Sequence, residues 1–215
     1  MNVLIIKIIA LTSMIIDHYG AIFQSGTDIY RIIGRIAFPI YCFLLVEGYY
    51  HTKDVKRYAK RLFIFALISE VPFDLAFYNK IGFVHQNIFF TLLIGLVAIC
   101  FIDNKEGKYN FNKYFVMAAA GILSIILSVD YNIIGIIYIL TFYFTRNYPK
   151  TKMVYFTALV MFFTNFMSSA LQQFSLLALP IIYFYNGELG PKNKFLQILF
   201  YAAYPIHLLI FYKFH

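Results

Sequence analysis

Apolar positions run along this chain in long blocks, and the polar positions between them come in short clusters. A helix that crosses a bilayer needs about 20 mostly apolar residues at a rise of 1.5 Å each. Four blocks meet that length: Val3–Phe23, Tyr30–Tyr50, Lys56–Tyr78 and Lys194–Lys213. Five shorter ones lie between them, at Asn87–Ile102, Asn112–Leu127, Asn132–Thr145, Lys152–Met167 and Ala170–Tyr185. The pattern predicts an all-α fold, a polytopic transmembrane helical bundle of about nine spans, in a single domain over residues 1–215. No repeat, low-complexity tract or soluble domain interrupts it. Met1–Phe23 has neither a basic leading segment nor a small-x-small cleavage site, so it reads as the first span and not as a removable signal.

Composition points the same way. The chain is 61% hydrophobic and only 13% charged, with a mean hydropathy of +0.72. Soluble domains carry about twice that share of charge, so a lipid bilayer is the expected solvent for much of the surface. A net charge of +8 would suggest nucleic acid in a soluble protein. Here the basic residues sit in the short clusters between apolar blocks, where membrane topology explains them, and no nucleic-acid partner is expected. With the N-terminus in the cytoplasm, the inner side holds Lys7, Lys53, Lys56, Arg57, Lys60, Arg61, Lys105, Lys108, Lys113, Arg146, Lys150, Lys152, Lys192 and Lys194. The outer side holds only Arg31, Arg35, Lys80 and Lys213. This split of 14 to 4 predicts an inside N-terminus and, with nine spans, an outside C-terminus. Cys42 and Cys100 both fall in apolar blocks, so no disulfide framework is expected.

That topology gives each intramembrane polar residue a depth. Asp17 lies roughly 9 Å, and Arg35 roughly 7 Å, below the outer surface. With His18, Arg31, Glu70, Asp74, His85, Asn87 and His207 they form one predicted layer drawn from five segments. A central Asp or Arg costs about 2.5–3.5 kcal/mol to insert, so such groups face the interior and pair. Arg31 and Arg35 are four apart, as are Glu70 and Asp74, which suggests Arg35–Glu70 or Arg31–Asp74 pairs. Asp17 and His18 are about 100° apart on their helix and can line one cavity without facing each other. Pro39, Pro72 and Pro205 each remove a backbone donor near this layer.

Two readings of the layer compete. In one the charges are structural ion pairs. In the other they do chemistry, with His18 the strongest candidate for a general base and Glu70 the next. His51 and His85 read as interfacial, and Glu47 as pairing locally. The Lys53–Arg61 run is first a topology signal and second a candidate binding site for an anionic cofactor. P-loop, G-x-S-x-G, H-E-x-x-H and zinc-type Cys/His spacings are absent, so no metal site is expected.

The stretches Lys7–Ala10, Asp17–Gly20, Arg31–Ile40, Glu47–Thr52, Tyr58, Arg61–Leu62, Ser69–Asp74, Asn87–Thr91 and Tyr204–Leu208 together resemble the TraX family of bacterial membrane proteins. The resemblance implies an integral membrane acetyltransferase of the bacterial cytoplasmic membrane. It takes acetyl-CoA from the cytoplasm and acetylates a peptide or glycan acceptor, pilin in the family's named activity, at the opposite face. It also implies His18 as the catalytic histidine. On that basis Asp17 or Glu70 orients it, and Arg31, Arg35, Asp74, Asn87 and His207 bind substrate or the oxyanion. Lys53, Lys56, Arg57 and Arg61 hold the donor phosphates. The rival classes are a proton-coupled transporter and a non-catalytic assembly factor. Oligomeric state is not readable from the sequence.

Overall fold

A computed structural model describes residues 1–215 other than Ser25, Thr27, Lys105, Glu106, Lys108, Tyr109 and Lys192. The inner-side cations Lys105, Lys108 and Lys192 therefore lie outside the described residues. The described chain is a bundle of helices. They are α1 (Val3–Phe23), α2 (Asp28–Gly34), α3 (Ala37–His51), α4 (Val55–Tyr78), α5 (Ile88–Asp103), α6 (Lys113–Ile126) and α7 (Asn132–Thr145). After α8 (Lys150–Asn165) come a 3-10 segment (Ala170–Leu177), α9 (Ala178–Tyr183) and α10 (Lys194–Phe214).

Local chemistry sets several of the starts. The Asn2 side chain accepts from Ile5 N, Asp54 from Arg57 N, Asn87 from Phe89 N and Asn112 from Tyr114 N. Each short polar side chain supplies a partner that the first helical turn lacks. Proline sets the main departure from the sequence pattern. The predicted second span, Tyr30–Tyr50, is broken at Arg35 and Ile36 into α2 and α3. The break falls four residues before Pro39, whose missing N–H and bulky ring disturb the bond to the Arg35 carbonyl. Pro72 and Pro205 lie inside α4 and α10, which continue through them. The predicted last middle span is also divided, into the 3-10 segment and α9.

The core is formed where α3, α5 and α7 meet, with Ile40, Leu45, Leu96, Ile99, Tyr138, Ile139 and Phe142 almost wholly buried. α1 packs on α2, α3 and α10, and α10 packs on α4. Close approach depends on missing side chains at Gly20, Gly34, Gly95 and Gly135. A Cβ on Gly34 would lie 2.1 Å from Asp17 Cβ, and one on Gly135 would lie 2.5 Å from Thr91 Cγ2. Large apolar side chains also face outward, including Leu67 and Ile68 on α4, Ile122 and Ile126 on α6 and Phe163 on α8. Among the described residues, three segments are long and apolar enough to cross a membrane: Val3–Phe23, Asp28–His51 and Lys194–Phe214.

Hydrogen bonds stitch both ends of the bundle. At one end, the Met1 end, the amino terminus donates to the Phe184 carbonyl at 2.7 Å. There Arg146 Nε donates to Glu47 at 3.0 Å, and Tyr49 donates to Asp103 at 2.6 Å. The opposite end carries most of the polar layer anticipated from the sequence.

Candidate functional site

Asp17 anchors this layer. Its carboxylate takes Arg31 Nη1 on one oxygen and Arg35 Nη2 on the other, each at 2.6 Å. Arg35 Nη1 also donates to Gln172 Oε1 at 3.3 Å, and its guanidinium lies 5.9 Å from the Tyr131 ring. Arg35 Nε donates to the Arg31 carbonyl at 3.3 Å, at the turn where the helix breaks. The suggested Arg35–Glu70 and Arg31–Asp74 pairs do not form. The reason is packing: α2 lies against α1, and the bare Gly34 lets both arginines reach Asp17. Glu70 instead receives the Asn87 amide, at 2.5 Å from Nδ2 and 3.3 Å from the backbone N. Asp74 accepts from Gly82 N at 2.8 Å, closing the turn after α4.

His18 sits beside Asp17 in sequence but points elsewhere. Its Nδ1 is 2.6 Å from Nε2 of His207 on α10. Phe77 and Tyr204 meet its ring edge-on at 5.3 and 5.7 Å. The structure thus brings Asp17, His18, Arg31, Arg35 and His207 into one cluster. Glu70, Asp74 and Asn87 form a second group on α4, α5 and the loop between them. In that loop His85 Nε2 lies 3.8 Å from Asp130. The attraction raises the His85 pKa above its ordinary 6.5, burial opposes the rise, and the charge of Glu70 adds to it.

A cleft of about 520 Å³ opens toward the Met1 end, between α1, α3, α4, α5 and α10. Lys7, Arg61 and Lys194 line it near the opening, and Met14 and Tyr204 line its deeper part. Lys7, Met14 and His18 fall on one stripe of α1, at spacings of seven and four residues. The stripe covers about 16 Å from Lys7 to His18 at 1.5 Å per residue. Tyr204 is both a cleft wall and a neighbour of the His18 ring. The cleft therefore leads from basic residues to Tyr204, and His18, a ring neighbour of Tyr204, is not itself among its lining residues.

Of the four cations expected to hold a donor, only Arg61 lines the cleft. Lys53, Lys56 and Arg57 are exposed outside it, and Arg57 turns to Asp54 at 3.5 Å. Lys7 and Lys194 take their place. The signal for Lys7 was present in the sequence, as the one Lys or Arg in the first apolar block. Arg61 Nε is buried without a hydrogen-bond partner, and neither Lys7 nor Arg61 pairs with a carboxylate among the described residues. That donor set suits a phosphate-bearing group. Gln172 and Tyr131, which join the Arg35 cluster, were not anticipated; a glutamine pair at positions 172–173 in an apolar block was the visible cue. Glu47 does pair with His51, its oxygen 3.9 Å from Nδ1, and it also binds Arg146 and Tyr185.

Comparison with known proteins bears out the resemblance read from the motifs. Residues 3–215 match the family described as TraX protein. The chain is 26% identical to "Probable fimbrial assembly protein FimC, serogroup H1" of Dichelobacter nodosus, over 94% of this chain and 91% of that one. It is 27% identical to "Uncharacterized protein RP591" of Rickettsia prowazekii (strain Madrid E), over 91% of this chain and 75% of that one. No solved structure matches the chain.

Proposed function

The chain belongs to the TraX family, and on that premise we propose that it is a membrane acyltransferase taking an acetyl group from acetyl-CoA. It lies in the bacterial cytoplasmic membrane with about nine spans and its N-terminus inside. Outward-facing apolar side chains and three membrane-length helices support the location. One observation carries the activity: the cleft that joins Lys7 and Arg61, which have no carboxylate partner among the described residues, to Tyr204, a ring neighbour of His18. A diphosphate donor is recognised by basic groups, and its long pantetheine arm suits a mostly apolar cleft.

In this reading Lys7, Arg61 and Lys194 bind the donor phosphates at the inner surface. His18 takes a proton from an amine or hydroxyl of the acceptor as that atom bonds to the thioester carbonyl carbon. The C–S bond then breaks, and the sulfur leaves as CoA thiol with one proton. Asp17, Arg31 and Arg35 carry a net positive charge beside His18, a fixed field that favours the negative charge developing on the carbonyl oxygen. A donor on one side and an acceptor on the other explain why the chemistry sits inside a bundle. The name of the Dichelobacter nodosus relative makes a fimbrial subunit peptide the first acceptor to try.

The same name favours a second reading, an assembly factor with no chemistry of its own. Purified protein in lipid nanodiscs, given radiolabelled acetyl-CoA and pilin-type peptides, separates the two. Acyl transfer that is abolished by His18→Ala, with Lys7→Met and Arg61→Gln each weakening donor binding about tenfold, supports the enzyme. Absence of both transfer and CoA binding in the wild-type protein supports the assembly factor.

A further inference from the structure

We propose that His207 is a positioning residue that fixes His18 in one tautomer, with the proton on Nδ1 and the lone pair on Nε2. His207 lies on α10. His207 Nδ1 lies 2.7 Å from the carbonyl oxygen of Ala203, one turn back in the same helix. A carbonyl oxygen only accepts, so Nδ1 of His207 carries the hydrogen. In a neutral imidazole the other nitrogen is then an acceptor, and Nε2 of His207 presents a lone pair. That lone pair is 2.6 Å from Nδ1 of His18. Two lone pairs do not approach so closely, so Nδ1 of His18 carries a hydrogen and donates it. The remaining nitrogen of His18, Nε2, is left with the lone pair a base requires.

The surroundings keep both rings neutral and in line. The ring planes differ by 15° and the centroids are 4.9 Å apart, the arrangement of imidazoles joined edge to edge. Phe77 and Tyr204 stand edge-on to His18, and Phe211 edge-on to His207 at 5.5 Å. No carboxylate reaches either ring among the described residues, because Asp17 is turned to its two arginines. An imidazolium would have no counter-charge in this cage, and burying an unpaired charge is costly. The relay runs in one direction because its far end is a backbone carbonyl, which has no second protonation state.

This role rests on the proposed acyltransferase reading for its purpose but not for its observation. The full-length protein, labelled with 15N-histidine in lipid nanodiscs, reports ring protonation directly by nitrogen NMR, with His18→Asn used to assign the signals. The expected spectrum has a protonated Nδ1 and an unprotonated Nε2 on His18. His207→Phe, which has no acceptor, should mix the tautomers and lower transfer about 100-fold. His207→Gln places an amide oxygen near the position of the lost Nε2 and should restore both the spectrum and most of the rate. A wild-type His18 protonated on Nε2 overturns the proposal, as does a spectrum unchanged in His207→Phe. If the tautomer is as stated but no donor or acceptor supports transfer, the acyltransferase reading fails and the relay stands.

Discussion

Replacing Gly34 by alanine adds one methyl group where the structure has no room for it. The new Cβ would lie 2.1 Å from both Cβ and Oδ1 of Asp17. Non-bonded carbons settle at about 3.5–4.0 Å, so the overlap is large. Rotating the Asp17 side chain does not relieve it, because its Cβ is fixed to the α1 backbone. α1 and α2 must therefore separate by more than about 1 Å, and the two 2.6 Å ion pairs are pulled apart. Overfilling a packed site costs about 1–3 kcal/mol, and breaking a buried ion pair about 3–5 kcal/mol. The Arg31 side chain is 30% exposed, so water screens its share and most of the loss falls on Arg35. The two costs overlap, since separating the helices relieves the clash while breaking the pairs. The expected penalty is about 3–5 kcal/mol in all. Unfolding in mixed detergent micelles, followed by tyrosine circular dichroism, measures it. Asp17→Asn already weakens the bridge, so the double variant should cost at least 1 kcal/mol less than the sum of its parts, within the usual coupling of neighbours. A Gly34→Ala protein within about 1 kcal/mol of wild type, below the cost of overpacking alone, or full additivity with Asp17→Asn, would show that α1 and α2 accommodate the methyl group without disturbing the bridge.

Two other substitutions read separate parts of the layer. Asn87→Ala removes the cap of α5 together with the bonds to Glu70 and the Ala66 carbonyl. It should cost about 3 kcal/mol in the same titration, a lost cap plus a buried charge-assisted network; a change below about 1 kcal/mol would show that the network is idle. His85 tests pH. Its pKa is raised in the folded protein by Asp130, so its stabilising effect is fully present below its ordinary value near 6.5 and fades as pH rises through the folded value. His85→Asn should flatten that part of the stability–pH curve, and an unaltered curve would remove His85 from it.

The apolar blocks were legible because hydropathy over 20 residues averages out local detail. Eight of the ten helix starts lie within two residues of a block boundary, at α1, α2 and α4–α8, and at α10. The break at Arg35 was legible in part, since Pro39 was seen but the consequence four residues earlier was not. Partners were the harder problem. Spacing puts Arg31 and Arg35 on one face, but it does not say which helix that face meets. Gly34 decides this, and a lone glycine in an apolar run looks ordinary until its neighbour is known. The donor cations failed differently. The dense Lys53–Arg61 run stands out by number, but only Arg61 of the four expected cations lines the cleft, whereas Lys7 and Lys194 matter by direction, which a count of charges does not register.

Asp17 also fixes an order of assembly. It leaves the ribosome before either arginine exists, on a helix that is otherwise suited to enter a bilayer alone. Until residues 31 and 35 follow, that carboxylate has no partner, and its insertion carries a penalty of about 2.5–3.5 kcal/mol. The short α2, seven residues long, is too brief to hold itself together in isolation. Each half is thus incomplete until the other arrives. On the membrane placement proposed above, α1 and α2 enter together, and α3 carries the second span on past the break at Arg35.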